Sequence, residues 1–110
     1  YIYFSSFIFD CLSWSGGNTH LEALTFDKPI ITMEGKSLKQ NHTFGFLKRI
    51  NQDNLIASNE REYINKILEF SKSKNLIKTS AEEISNNKNL LFNDMECIKS
   101  LEDSLIKNLF

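Results

Sequence analysis

The sequence predicts an α/β fold with parallel strands, and three observations carry that expectation. Residues 1–10 contain the apolar run Phe7-Ile8-Phe9 and stop at Asp10, and residues 29–33, Pro-Ile-Ile-Thr-Met, form a second apolar run. Runs that do not alternate with polar residues suit strands covered on both faces, as in parallel sheets. Between them, Ser15-Gly16-Gly17 opens a segment with Leu21, Ala23 and Leu24 at the spacing of a short helix. A crossover helix is the usual link between two parallel neighbours.

The remaining elements follow in order. A turn at Gly35-Lys36-Ser37 leads into a helix over 38–50, with Phe44, Leu47 and Ile50 at intervals of three. Asn51-Gln52-Asp53-Asn54 is a polar break, and Leu55-Ile56-Ala57 is a very short third strand. Ser58 is placed to cap a helix carrying Tyr63, Ile64, Ile67, Leu68 and Phe70. Residues 71–78 read as a helix end and loop, 80–86 as a short helix, and Asn86-Asn87-Lys88-Asn89 as a solvated loop. The last helix, 94–109, carries Met95, Ile98, Leu101, Leu105 and Leu109 on one face, and such a stripe is expected to face the core. There is no internal repeat, and a single proline leaves no Pro-rich linker.

Length and composition bound the function. One hundred and ten residues suffice for one small domain with a core. Because the chain opens on Tyr1 rather than Met, directly in a strand, the expectation is a C-terminal piece of a longer protein whose other strands lie upstream. With a net charge of −1, it lacks the basic excess that nucleic-acid binding requires. The opening apolar stretch is too short to span a bilayer and has no charged lead or cleavage site, so no membrane partner is expected. Cys11 and Cys97 are far apart and form no metal or redox spacing, which suits the reducing cytoplasm.

The chemistry concentrates in residues 15–35. A glycine turn at a helix start exposes unpaired N–H groups beside the positive end of the helix dipole, and in open α/β sheets that edge is where anions bind. Phosphate is the natural ligand. Gly16 and Gly17 let a diphosphate approach the backbone and are expected to supply a positive φ. Asn18 and Thr19 add side-chain donors. Glu22, about one turn on, is placed to accept hydrogen bonds from ribose hydroxyls. The plainer alternative is that Gly-Gly only makes a tight turn and Asn18 only caps a helix. His20 reads as a supporting or exposed residue rather than a catalytic one, and His42 as exposed by default, with a place facing the sugar as the alternative. Lys36 and Lys39 are solvated by default, although their charge would suit a phosphate.

These residues resemble the C-terminal catalytic region of the O-linked N-acetylglucosamine transferase and Spindly family. The ordered set is Asp10, Ser15-Gly16-Gly17, Asn18-Thr19, Glu22-Ala23-Leu24 and Pro29-Ile30-Ile31-Thr32. It continues through Gly35, Leu38, Leu47, Asn54-Leu55-Ile56-Ala57 and Glu62-Tyr63, and reaches Leu91-Phe92-Asn93. The match is sharpest over residues 10–67. It implies that residues 1–110 are the C-terminal part of a Rossmann-like nucleotide-sugar-binding domain in a two-domain, GT-B type glycosyltransferase. Within it, Gly16, Gly17, Asn18 and Thr19 would hold the donor diphosphate and Glu22 the ribose.

The chain also departs from the family. Gly17 stands where some relatives carry His, Asn18 replaces a Thr, Glu22 replaces a shorter Asp, Glu34 stands where Pro is common, and Asn41 where Arg is frequent. Diphosphate binding survives these changes; the identity of the donor sugar stays open.

The resemblance implies transfer from a UDP- or GDP-linked sugar to a protein acceptor, with neither cofactor nor metal, diphosphate charge being met by backbone amides. No catalytic residue is assigned; the base and acceptor groove would come from an upstream domain of the same chain, and these residues alone would bind weakly and turn nothing over. Two other readings fit the same residues: a nucleotide-sugar epimerase or other GT-B transferase, and a degenerate domain kept for folding or for a partner.

Overall fold

A computed structural model describes residues 5–92 and 95–109. The chain runs β1 (Ile8–Phe9), α1 (Asn18–Thr25), β2 (Ile30–Met33), α2 (His42–Arg49), β3 (Ile56–Ala57), α3 (Glu60–Lys72), α4 (Lys74–Asn87) and α5 (Met95–Leu109). Short 3-10 turns lie at Leu38–Gln40, Asp53–Leu55 and Lys88–Leu90. The strands form one parallel sheet in the order β1-β2-β3. Ile8 and Phe9 stand opposite Ile30 and Ile31, and Thr32 and Met33 opposite Ile56 and Ala57.

The mixed α/β architecture is therefore as expected, and its logic is visible in β2. Ile30, Ile31 and Thr32 are fully buried because the strand is central and helices α1, α2 and α3 all pack against it. The core joins Ala23 and Leu24 of α1, Leu47 of α2, Ile50, Leu55, Ala57 of β3, Tyr63 and Phe70 of α3, and Ile84 of α4. Each fully buried Leu or Ile contributes on the order of 1.5–3 kcal/mol. Helices α1 and α2 are each followed by a left-handed residue, Asp27 (φ 59°) and Asn51 (φ 60°), types whose short polar side chains tolerate that conformation.

Several boundaries differ from the sequence reading. Of the first strand, the ladder holds only Ile8–Phe9, and residues 1–4 lie outside the described residues, as do Asn93 and Asp94. The helix over 38–50 is broken at Asn41. Its Oδ1 accepts from Gly35 N at 2.7 Å, and its Nδ2 donates to the carbonyls of Gly35 and Ser37, each at 3.0 Å. A side chain that satisfies backbone groups locally competes with the helix ladder. The cap of α3 is Asn59, whose Oδ1 accepts from Glu62 N at 2.8 Å, and not Ser58. Ser58 instead donates its N–H and hydroxyl to the Glu62 carboxylate, which holds that carboxyl below its ordinary value.

Residues 71–78 are not a loop, and the solvated loop expected at 86–89 is helical as well. Ser73 ends α3 and caps α4 by accepting from Leu76 N, so only one residue separates two helices. Leu76, Ile77, Ser80 and Ile84 then form the inward face of α4. The last helix departs furthest from expectation: every residue of α5 is exposed, including Met95, Ile98, Leu101, Leu105 and Leu109. Its stripe faces no part of this core. Among the described residues no helix is long and apolar enough to cross a membrane.

Candidate functional site

Asp10 lies just past the C-terminal end of β1, held in the sheet by its N–H to Ile31 O at 2.8 Å. Its carboxylate is buried, so it must find donors within the protein. It finds Ser15 Oγ at 2.6 Å, Thr32 Oγ1 at 2.8 Å and Gly16 N at 3.0 Å. Tyr63 donates its hydroxyl to the Asp10 carbonyl, and its phenol is held above its ordinary pKa by burial first and then by the nearby charges of Asp10 and Cys11. One carboxylate thereby ties the end of β1 to β2 and to the glycine turn.

Ser15 and Thr43 extend this network to α2. Thr43 N donates to Ser15 Oγ at 2.9 Å, and the two hydroxyl oxygens stand 3.0 Å apart. His20 Nδ1 lies 2.6 Å from Thr43 Oγ1 and 3.5 Å from Asp10 Oδ1. Two influences oppose each other at this imidazole. Burial disfavours its charged form, Asp10 favours it, and burial wins, so His20 is held below its ordinary value. His20 is therefore a buried strut behind the turn, not an exposed residue. Sequence reasoning noticed Asp10 and His20 but missed Ser15, Thr32 and Thr43 as their partners; the only signal was a carboxylate ending an apolar strand.

The two glycines have different reasons to be glycine. A Cβ on Gly16 would stand 2.5 Å from His20 Nδ1, so the ring occupies the space a side chain would need. A Cβ on Gly17 would meet only His42 Nδ1, at 3.9 Å. The space outside Gly17 is open. Neither glycine has a positive φ, contrary to expectation; Gly17 sits at φ −103°. Close approach, not left-handed backbone, is what glycine provides here.

Gly17 is the N-cap of α1, and no side chain caps the helix. Asn18 is the first helical residue and makes no cap bond, which removes the plain capping role for it. The bonds at this end are His20 N and Leu21 N to Gly17 O. Among the described residues the N–H groups of Gly17, Asn18 and Thr19 have no protein acceptor, and the first turn carries no acidic residue. Asn18, Thr19 and Glu22 are all exposed, and Glu22 lies one turn from Asn18 on the same side of α1. The sequence-predicted residues are therefore brought together at one helix start.

Neighbouring groups have other engagements. Lys39 holds its ammonium 5.5 Å from the centre of the exposed Trp14 ring, while its carbonyl accepts from Ser15 N at 2.6 Å. Lys36 is exposed. His42 is half-buried rather than exposed, and its Nδ1 is inaccessible. A separate shallow cleft of about 190 Å³ lies at the ends of β2 and β3, between Glu34, Phe44, Lys48, Asp53 and Ser58, and does not include the glycine turn. No group of three or more His, Cys, Asp or Glu able to hold a metal occurs among the described residues.

No protein-family model matches the chain, and no curated protein matches it in sequence. Among solved structures, the K341M mutant of the Thermobaculum terrenum O-GlcNAc transferase is similar over 90% of this chain, with a TM-score of 0.78 and 25% sequence identity. The similar region is 19% of that enzyme's chain, so this chain spans under a fifth of its length. The chain thus has the fold of part of an O-GlcNAc transferase, a glycosyltransferase-like α/β architecture.

Proposed function

We propose that this chain is the donor-binding part of a GT-B type glycosyltransferase and holds the diphosphate of a UDP- or GDP-linked sugar at the start of α1. The observation that carries this reading is the row of unpaired N–H groups at Gly17, Asn18 and Thr19, opening onto clear space at the C-terminal edge of a parallel sheet. The likeness to an O-GlcNAc transferase gives that edge a chemical context. In transfer, negative charge accumulates on the departing diphosphate, and fixed amides aimed at it need no reorganisation as the bond to the sugar breaks. Asp10, Ser15, Thr43 and His20 keep those amides in place. The acceptor in this proposal is a protein hydroxyl, and the groups that bind and deprotonate it lie in a further domain.

Within this reading Glu22 accepts hydrogen bonds from the ribose. Its exposure and its position one turn along α1 support that role. Calorimetric titration of the intact natural chain with uridine diphosphate, guanosine diphosphate and inorganic pyrophosphate tests it. One of the two nucleotides should bind saturably, and Glu22→Ala should weaken it by about 1–3 kcal/mol, the scale of a hydrogen bond to a charged group. Pyrophosphate should be unaffected. Equal losses for nucleotide and pyrophosphate would remove Glu22 from the ribose site, and no binding of either nucleotide to the unaltered protein would contradict the proposal as a whole.

A further inference from the structure

We infer that the apolar face of α5 is a docking surface for the further domain of the same transferase chain, seated in a groove of that domain with a lysine or arginine opposite Glu102. Met95, Ile98, Leu101, Leu105, Ile106 and Leu109 recur at three- and four-residue spacings along the helix, and each is at least 49% exposed. Such a row is one side of a helix. Apolar side chains gathered into one exposed patch mark a contact surface, and anchors at these spacings are the pattern of a helix laid into an apolar groove. Only the further domain is shared with the donor-binding reading above; no nucleotide contact enters.

The likeness to a longer enzyme says where the groove lies. Ninety per cent of 110 residues is more than the 94 that precede α5, so the similarity to the solved O-GlcNAc transferase extends into this helix. In that enzyme the similar region is 19% of the chain, and about four-fifths of the polypeptide lies elsewhere. A helix standing clear of its own core in a much longer chain has the remainder of that chain to cover it.

Glu102 specifies the chemistry of the groove and disfavours a second copy of this chain as its occupant. Its neighbours three, four and seven positions away are Met95, Ile98, Leu105, Ile106 and Leu109, so a carboxylate stands within the apolar stripe. Docking the stripe takes that charge out of water, which is costly unless a cation meets it. A second α5 brings no cation to this place. In an antiparallel pair that sets Met95 against Leu109 and Ile98 against Ile106, Glu102 faces Glu102, and a parallel pair in register does the same. Like charges so placed oppose association, whereas a groove carrying a lysine or arginine satisfies the whole face.

The experiment is amide hydrogen exchange on the intact natural chain, unaltered and as Leu101→Asp and Glu102→Leu, at two protein concentrations. In the unaltered protein α5 should exchange within about tenfold of α3. Leu101→Asp should speed α5 by about tenfold or more while leaving α3, whose amides report the fold of the body, unchanged. Glu102→Leu should speed α5 as well, although leucine extends the apolar stripe, because it strands the cation across the groove. Exchange of α5 at the rate of an unstructured peptide in the unaltered protein, or equal α5 rates in Leu101→Asp, would overturn the docking. Slower exchange in Glu102→Leu would overturn the cation. Protection that falls on dilution would make a second copy the occupant and overturn the further domain. If Leu101→Asp does not fold, Glu102→Leu and the dilution decide. No nucleotide enters these readouts, so a failure of docking and a failure of donor binding are seen separately.

Discussion

Asp10 is the residue on which the turn depends. Its carboxylate answers three donors from Ser15, Gly16 and Thr32, and removing it leaves all three facing a buried void. Asp10→Ala should therefore destabilise the fold by about 3 kcal/mol or more, since each stranded buried donor costs about 1–3 kcal/mol. His20 adds a pH dependence of known sign. Its folded-state value lies below the ordinary 6.5, chiefly through burial. The unfolded chain then binds the proton more readily, so the His20 contribution to stability is complete above 6.5 and is lost as the pH falls through the lower folded value. Melting temperatures measured across that interval should drop on the acid side in the unaltered protein and drop less in His20→Gln. Parallel curves for the two proteins would show that His20 is not the titrating strut. The glycine pair announces itself in the sequence, but the division of labour within it does not. Gly16 is required by an imidazole four residues on, and Gly17 is bordered by one that arrives from α2.

Among the elements, the strands and α1 were readable because their apolar runs are short, bounded and strongly patterned. Two errors have physical causes. The Lys72-Ser73-Lys74 stretch has the composition of a loop, yet Ser73 caps α4, and one capping hydroxyl outweighs weak local propensity once Leu76, Ile77 and Ile84 find the core. In α5 the pattern correctly indicated a helix and an apolar face, but periodicity carries no information about what that face meets. With Met95 at 68% and Leu101 at 61% exposure, packing gives α5 little support. A lone helix of 15 residues is marginal in water. Amide hydrogen exchange on the 110-residue chain should accordingly show α5 exchanging orders of magnitude faster than α3, whose Tyr63 and Phe70 are in the core. Equal protection in the two helices would mean that α5 packs against the body in solution.

The whole molecule carries the imprint of that helix. Its radius of gyration is 15.6 Å and its principal extents are 57 × 29 × 23 Å. A compact domain of this length has a radius of gyration of about 13 Å, so the chain is elongated for its size. The α/β class and parallel sheet followed from the sequence, as did the likeness to a glycosyltransferase fold that spans 90% of the chain. At this scale the central claim is that the start of α1 binds a diphosphate, and Gly17→Val tests it cleanly. A Cβ there would meet only His42 Nδ1, at 3.9 Å, whereas one at Gly16 would collide with His20 and confuse binding with stability. The decisive measurement is calorimetric titration of the folded Gly17→Val protein, in the intact natural chain, with uridine and guanosine diphosphate. The valine branches should occupy the phosphate's approach and reduce the affinity of whichever nucleotide the unaltered protein binds by tenfold or more, on the order of 1.4 kcal/mol; an affinity equal to that of the unaltered protein would contradict the assignment of the diphosphate to this turn.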